Sequence, residues 1–432
     1  MRRAASGAMM LTPMLIVALA SLAGGYGFYD LGLGAAAYQG SARGAGMGEV
    51  TLLSEDGPIA AALNPARLAG ISEGRFTVSY RVASVDEDWA FPVHDSFDAV
   101  MGYNTYVATT ELYHDLAGGV ATGRLERAYG LCAGFAIAPV YDFRYDYAEE
   151  IRDRNSSSSP ADRLIANNYI RGDGLVRSAS FGVGKTIWRG LSLGLGVDYL
   201  FGERDLSARV VFADPVKIPW ESDSPETSET FEANDMSGVR LSLGATYAVG
   251  KRVEIAAAYK SGADLDPAMA TAGGGVINLI TDPGSEVECP ATVGLGVAFR
   301  PRNEMPTVIE GNVVLTRWSE VSDPTGIGPA PEDVYEWHLG VEHVFYNGRP
   351  LRFGFLYRPS PQDDETGEAA VTAGTGLALA GFDIDLAARV GWREYRWPDV
   401  FADDIYGAAL RDGTDLVRET TVGAVVSVGR RF

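Results

Sequence analysis

The sequence predicts an all-β fold: a transmembrane antiparallel β-barrel of about 14 strands, with an N-terminal plug in its lumen. Three observations carry this prediction. From Arg75 onward, apolar residues recur with a period of two. The connections between these runs alternate strictly between short and long ones. The chain opens on a leader-like segment and has no later apolar run suited to a membrane helix.

The leader reads "MRRAASGAMMLTPMLIVALASLAGG", with Arg2 and Arg3 ahead of an apolar run and then small residues. That is the order of a secretory signal peptide, with a cleavage site at Ala18–Ala20 or at Ala23. The run is short for a span, which takes about 20 apolar residues. We expect residues 1–23 to be the signal peptide, residues 24–74 the plug and residues 75–432 the barrel.

Within the second segment, "GLGAAA" (Gly32–Ala37) and "GAGMG" (Gly44–Gly48) invite a nucleotide-binding reading. That reading needs a preceding strand and a βαβ unit, and both are missing. "IAAAL" (Ile59–Leu63) suits a short helix. Asn64 ends it, because a residue before proline is pushed out of the helical region.

The expected strands are Arg75–Ser84, Val100–Thr122, Arg127–Glu150, Tyr169–Ile187, Leu191–Phe212, Gly238–Val249 and Arg252–Ser261. They continue with Ala291–Arg300, Val308–Val321, Val334–Tyr346, Leu351–Arg358, Glu368–Ala380, Phe382–Trp397 and Val417–Phe432. In "LSLGLGVDYLF", Leu191, Leu193, Leu195, Val197, Tyr199 and Phe201 share one face, and Ser192, Gly194, Gly196 and Asp198 the other. Short connections such as "WRG", "GK", "NGRP" and "G" read as periplasmic turns, and the longer polar ones as outer loops. A soluble sandwich also alternates, but it explains neither the leader nor this turn–loop parity. The last strand, "TVGAVVSVGRRF", ends on Phe432, as bacterial barrels recognised for insertion do. Closure is obligatory, since lipid cannot satisfy an open sheet edge.

Composition excludes several function classes. A net charge of −21 argues against nucleic acid. Two cysteines, Cys132 and Cys289, give no disulfide framework, and the four histidines form no ligand cluster. We expect no metal, no cofactor and, lacking a convincing Ser-His-Asp set, no enzyme. The acidic outer loops, such as Ala213–Asp235, are solvated or bridged by divalent cations to surface glycolipid.

The polar strand faces nearest the short turns are rich in glycine: Gly182, Gly184, Gly194, Gly196, Gly244, Gly294, Gly296, Gly354, Gly374 and Gly376. Glycine eases barrel curvature, and it also marks close approach of another backbone. Clustering at one end points to a compact segment packed there, for which residues 24–74 are the candidate.

Several stretches together resemble the FadL family of outer-membrane transporters of long-chain fatty acids and aromatic hydrocarbons. "GARGAGMG…NPARLAG" is similar to the family's N-terminal hatch, with its Asn-Pro-Ala at Asn64, Pro65 and Ala66. "VEIAAAYKS", "ECPATVGLGVAFRP", "EGNVVLTRWSEV" and "LRFGFLYRPSP" resemble, in order, its characteristic strands. The family's Trp-Lys-Asp before the tenth strand is replaced by "EDVYEWHLG". The resemblance implies energy-independent diffusion of a hydrophobic ligand across the bacterial outer membrane. It implies capture in a groove among outer loops, passage to a lumen site, and lateral release through a kink in the third strand.

Onto this sequence, that scheme maps a groove at Ile218, Trp220, Phe231, Val276, Ile277, Leu279 and Ile280, and a gap at Pro139. Proline removes a ladder donor, which suits a break in the wall, although an outer strand extension also tolerates it. The apolar loop residues call for a partner, or they pack on one another. Arg240, Arg300 and Arg358, set against Glu254, Glu310 and Glu336, form a charged ladder in the lumen or meet a carboxylate ligand. The expected partners are a hydrophobic small molecule, outer-membrane lipid and lipopolysaccharide, with no nucleic acid. A monomer is one assembly open to the chain. The alternative function is a PorV-like barrel that binds protein partners of a secretion system.

Overall fold

The computed structural model describes residues 27–97, 99–125, 129–153, 163–213, 226–266, 269–273, 287–321, 329–363, 365–401, 403–406 and 413–432. The expected signal peptide lies outside them.

Fourteen antiparallel strands form the wall. They are β1 (Arg75–His94), β2 (Val100–Ala121), β3 (Cys132–Asp142, resuming as Tyr145–Asp153), β4 (Arg163–Trp188), β5 (Leu191–Phe212), β6 (Glu226–Val249) and β7 (Val253–Lys260). The circuit continues through β8 (Thr292–Phe299), β9 (Thr307–Thr316), β10 (Val334–Val344), β11 (Pro350–Pro359), β12 (Gly367–Leu379), β13 (Phe382–Trp397) and β14 (Asp415–Arg431). β14 pairs with β1 from Leu416↔Ala90 to Arg431↔Arg75, and the sheet closes on itself. No edge remains there for water or lipid to satisfy.

Alternation sorts the two faces. Leu193, Leu195, Val197 and Tyr199 on β5 are exposed on the outside, as are Leu241 and Leu243 on β6 and Trp337 and Leu339 on β10. On the same strands Asp198, Ser242 and Arg240 are buried on the inside. An apolar outer belt around a polar interior is the inverse of a soluble protein and suits lipid. Short turns take the residues their geometry demands: Ala380 and Gly381 both have positive φ, +51° and +83°. That pair is the signature of a two-residue hairpin whose twist matches its strands.

The wall is lopsided. β1, β2, β4, β5 and β6 run to 20–26 residues, whereas β7 to β12 have 8–13. The expected strand starting at Gly238 begins twelve residues earlier, at Glu226, because pairing with β5 continues above the belt. The first strand likewise runs past Ser84 to His94. The expected strand Val308–Val321 instead ends at Thr316, and Trp318–Glu320 turn into a 3₁₀ segment.

The N-terminal segment builds two single-turn helices, α1 (Ala42–Ala45) and α2 (Ala60–Leu63), and a 3₁₀ helix, Pro65–Gly70. α2 stops at Asn64, which is extended at φ −139° and caps the 3₁₀ turn by accepting from the Ala66 amide. These pieces touch inner faces all around the wall: α1 against β12, β13 and β14, and the 3₁₀ helix against β3, β4, β5 and β6.

Candidate functional site

Glycines on the inner wall take their meaning from this contact. A Cβ on Gly184 would stand 2.5 Å from the Pro65 carbonyl oxygen, and one on Gly374 would stand 3.0 Å from the Gly46 Cα. On Gly194 it would collide with Pro65 and Ala66, on Gly244 with the Asn64 carboxamide, and on Gly354 with Gly48. Gly294 and Gly296 make room for Leu52. Gly376 differs, since its neighbour is the Asp385 side chain of the wall itself.

Polar links fasten the segment at every level. Asn64 is fully buried; its Nδ2 donates to the Leu52 carbonyl at 2.9 Å. The Ala42 amide donates to Ser427 Oγ at 2.7 Å, and the Gly48 amide to Thr372 Oγ1 at 2.8 Å. Arg43 pairs with Glu342 at 2.7 Å, Arg67 with Glu254 at 2.8 Å, and Arg393 with Asp30 at 2.6 Å. Glu310 holds the Leu53 amide at 3.0 Å and the Ser54 hydroxyl. It therefore serves the segment and not the expected arginine ladder. Arg240 pairs with Asp198, at 2.8 Å, while Arg358 pairs with Glu336 (2.8 Å) and Arg300 with Glu254 (3.0 Å).

Between the segment and the wall lies a cavity of about 230 Å³. Leu33, Tyr141 and Trp318 line one part of it, and Arg240, Lys260 and Arg358 another. Aromatic rings close in beyond: Phe28 meets Trp89 edge-on at 5.3 Å and Trp397 at 5.5 Å, and Tyr29 meets Tyr395 at 4.8 Å. Arg204 reaches in from β5 to donate to the Leu31 and Gly32 carbonyls at 3.1 and 2.6 Å, its guanidinium 4.7 Å from the Phe143 ring centre.

The wall has a seam. β2 and β3 pair only between Gly118–Ala121 and Ile137–Gly134. Beyond Ile137, β3 carries Pro139, slips register against β4 between Pro139 and Tyr141, and breaks after Asp142. Its freed edge is taken by the N-terminal segment. Ala35 and Ala36 pair with Asp142 and Tyr141, and the Ala37 amide donates to the Val140 carbonyl at 2.9 Å. At this height no ladder pairs β3 with β2.

A protein-family model described as BamG matches residues 1–269, more than half of the chain. The chain belongs to the BamG family. No curated protein matches it. Among solved structures, this BamG-family chain is similar to a Pseudomonas aeruginosa FadL homologue at TM-score 0.61 and 15% identity, covering 92% of this chain and 98% of that one. The P. putida toluene transporter TodX matches at TM-score 0.61 and 17% identity, covering 92% and 99%. The Ralstonia pickettii toluene transporter TbuX matches at TM-score 0.57 and 17% identity, covering 91% and 99%. At these identities the likeness is one of fold, and the FadL-type barrel expected from the sequence is the fold found. The BamG-family barrel, with its closed wall and apolar belt, lies in the bacterial outer membrane.

Of the expected site residues, Asn64, Pro65 and Ala66 come together against Gly184, Gly194 and Gly244. Pro139 sits where β3 leaves β2. Ile218, Trp220, Val276, Ile277, Leu279 and Ile280 fall outside the described residues. Phe231 is not in a loop: it lies in β6, 1% exposed, its ring centre 5.5 Å from the Arg204 guanidinium. The extended strand turns it inward, onto an aromatic core. Sequence reasoning missed Lys260, Asp115 and Arg144. For Arg144, a charge beside the Pro139 strand was the available signal, whereas Asp115 sits inside the continuous strand β2.

Proposed function

We propose that the protein is a passive outer-membrane channel for hydrophobic small molecules, with residues 24–74 as its plug and the β2–β3 seam as a lateral exit. One observation carries the reading: the β2–β3 ladder stops where the N-terminal segment pairs with the edge of β3, beside an internal cavity. A ligand entering from above would reach that cavity and leave sideways into lipid without crossing the plugged end. The FadL homologue and the toluene transporters that share this fold point the same way.

Asp30, Glu49, Glu336, Glu368 and Glu419 also line the cavity, and its Lys260–Arg240 end is where the anionic head of an amphiphile would sit. Lys260 and Arg240 both line it, and Arg240 Nη2 has no hydrogen-bond partner among the described residues. Asp198 pairs with Arg240, and Lys260 Nζ donates to Gln39 Oε1 at 3.2 Å. A carboxylate ligand would complete both cations. Binding of a long-chain fatty acid and of its methyl ester to the purified barrel tests this. Preference for the acid, lost in Lys260→Met, is expected; equal binding of both would remove the anionic end from the proposal. A protein pulldown separates the channel from the PorV-like alternative. A stoichiometric protein partner, with no lipid retained on purification, would favour that alternative.

A further inference from the structure

We infer that Arg144 and Asp115 form a latch across the seam. This rests on the reading of the seam as the exit, and it concerns what holds the seam closed. Above Gly118 and Ile137 no backbone ladder joins β2 to β3, so side chains must do it. Arg144 stands in the break of β3, between Asp142 and Tyr145. Its Nη2 lies 3.6 Å from Asp115 Oδ2 on β2, and its guanidinium 5.6 Å from the ring centre of Tyr113, also on β2.

The link is built to break without stranding a charge. Arg144 keeps Asp142, its own strand's carboxylate, through Nη2 at 2.6 Å and Nε at 2.9 Å. Asp115 keeps Arg81, whose Nη2 donates to it at 2.8 Å from β1. Of these ion pairs, the one that crosses the seam is the longest. Asp115 and Asp142 are both buried, at 3% and 1% exposure, and in such surroundings an ion pair is far stronger than in water. Losing a buried charge's only partner is costly, and here opening leaves each charge a partner, Asp142 for Arg144 and Arg81 for Asp115. The Asp115 Oδ1 atom is buried with no partner among the described residues, which leaves the carboxylate room to turn.

The test places nitroxide labels at Leu112→Cys on β2 and Ala148→Cys on β3, both exposed, and reads the distance between them by pulsed electron resonance. The native Cys132 and Cys289 are buried. Asp115→Asn keeps the shape and removes the charge, so its distances should spread to longer values. Arg144→Met should do the same, and Arg144→Lys should restore the narrow distribution. Circular dichroism shows whether each barrel is folded; should Arg144→Met fail, Asp115→Asn alone carries the decision. An unchanged distribution in folded Asp115→Asn overturns the latch, whatever ligand uptake does. A spread distribution with uptake faster by about tenfold, the factor that about 1.4 kcal/mol represents, supports latch and exit together. A spread distribution with uptake unchanged leaves the latch standing and overturns the lateral exit.

Discussion

The Asn64 carboxamide oxygen occupies the space that a side chain on Gly244 would need. One residue of the N-terminal segment and one of the wall thus form a single fitting. Gly194 repeats it against Pro65 and Ala66. Gly244→Val should drive the Asn-Pro-Ala turn from its seat and leave the strand, whose outer face is untouched. Planar-bilayer conductance should rise, as it should on deleting residues 24–70. Unchanged conductance in both variants would mean that the segment does not close the pore.

Asn64→Ala leaves the wall intact and strips the segment of two internal hydrogen bonds, to the Leu52 carbonyl and from the Ala66 amide. Leaving buried partners unpaired costs about 1–3 kcal/mol. Tryptic cleavage after Arg67 should accelerate while the barrel keeps its β-sheet dichroism.

Pro139 lies at the register slip of β3 against β4. Pro139→Ala returns an amide to the strand and should favour continued pairing with β2. Uptake of a labelled hydrophobic compound should slow, with binding at the cell surface preserved. Equal uptake rates would separate the slip from the exit.

Glu55 gives the segment a pH dependence. Burial pushes its carboxyl above the ordinary range, although the Ser41 amide (2.7 Å) and hydroxyl (2.9 Å) favour the charged form. A carboxyl raised on folding contributes stability that is full below its unfolded value, about 4.3, and lost as pH climbs through the folded one. Proteolysis of the segment should therefore quicken with rising pH across that window. Glu55→Gln should flatten the profile, and an equally steep profile would place the sensitive group elsewhere.

Much of the architecture was legible in the sequence. Period two along "LSLGLGVDYLF" set lipid face against lumen face, and the short turns counted the strands in pairs. The inner glycines announced a close neighbour, since their spacing leaves nothing for side chains to do there. What stayed hidden depends on long-range geometry. Strand ends moved because pairing above the membrane belt, as between β5 and the start of β6, obeys no lipid boundary. Phe231 read as an exposed loop residue for that reason. Glu310 carries no mark distinguishing a partner for arginine from an acceptor for the Leu53 amide. The Arg144–Asp115 contact joins strands that do not pair at that height, so no register rule could pair them.

Transport itself is the central claim. The most direct measurement is the initial rate at which cells with an intact lipopolysaccharide surface take up a radiolabelled long-chain fatty acid, with and without this barrel in their outer membrane. The account predicts faster entry with the barrel, saturable and independent of an energised inner membrane. Rates that match barrel-free cells, for the fatty acid and for a monoaromatic hydrocarbon alike, would contradict it.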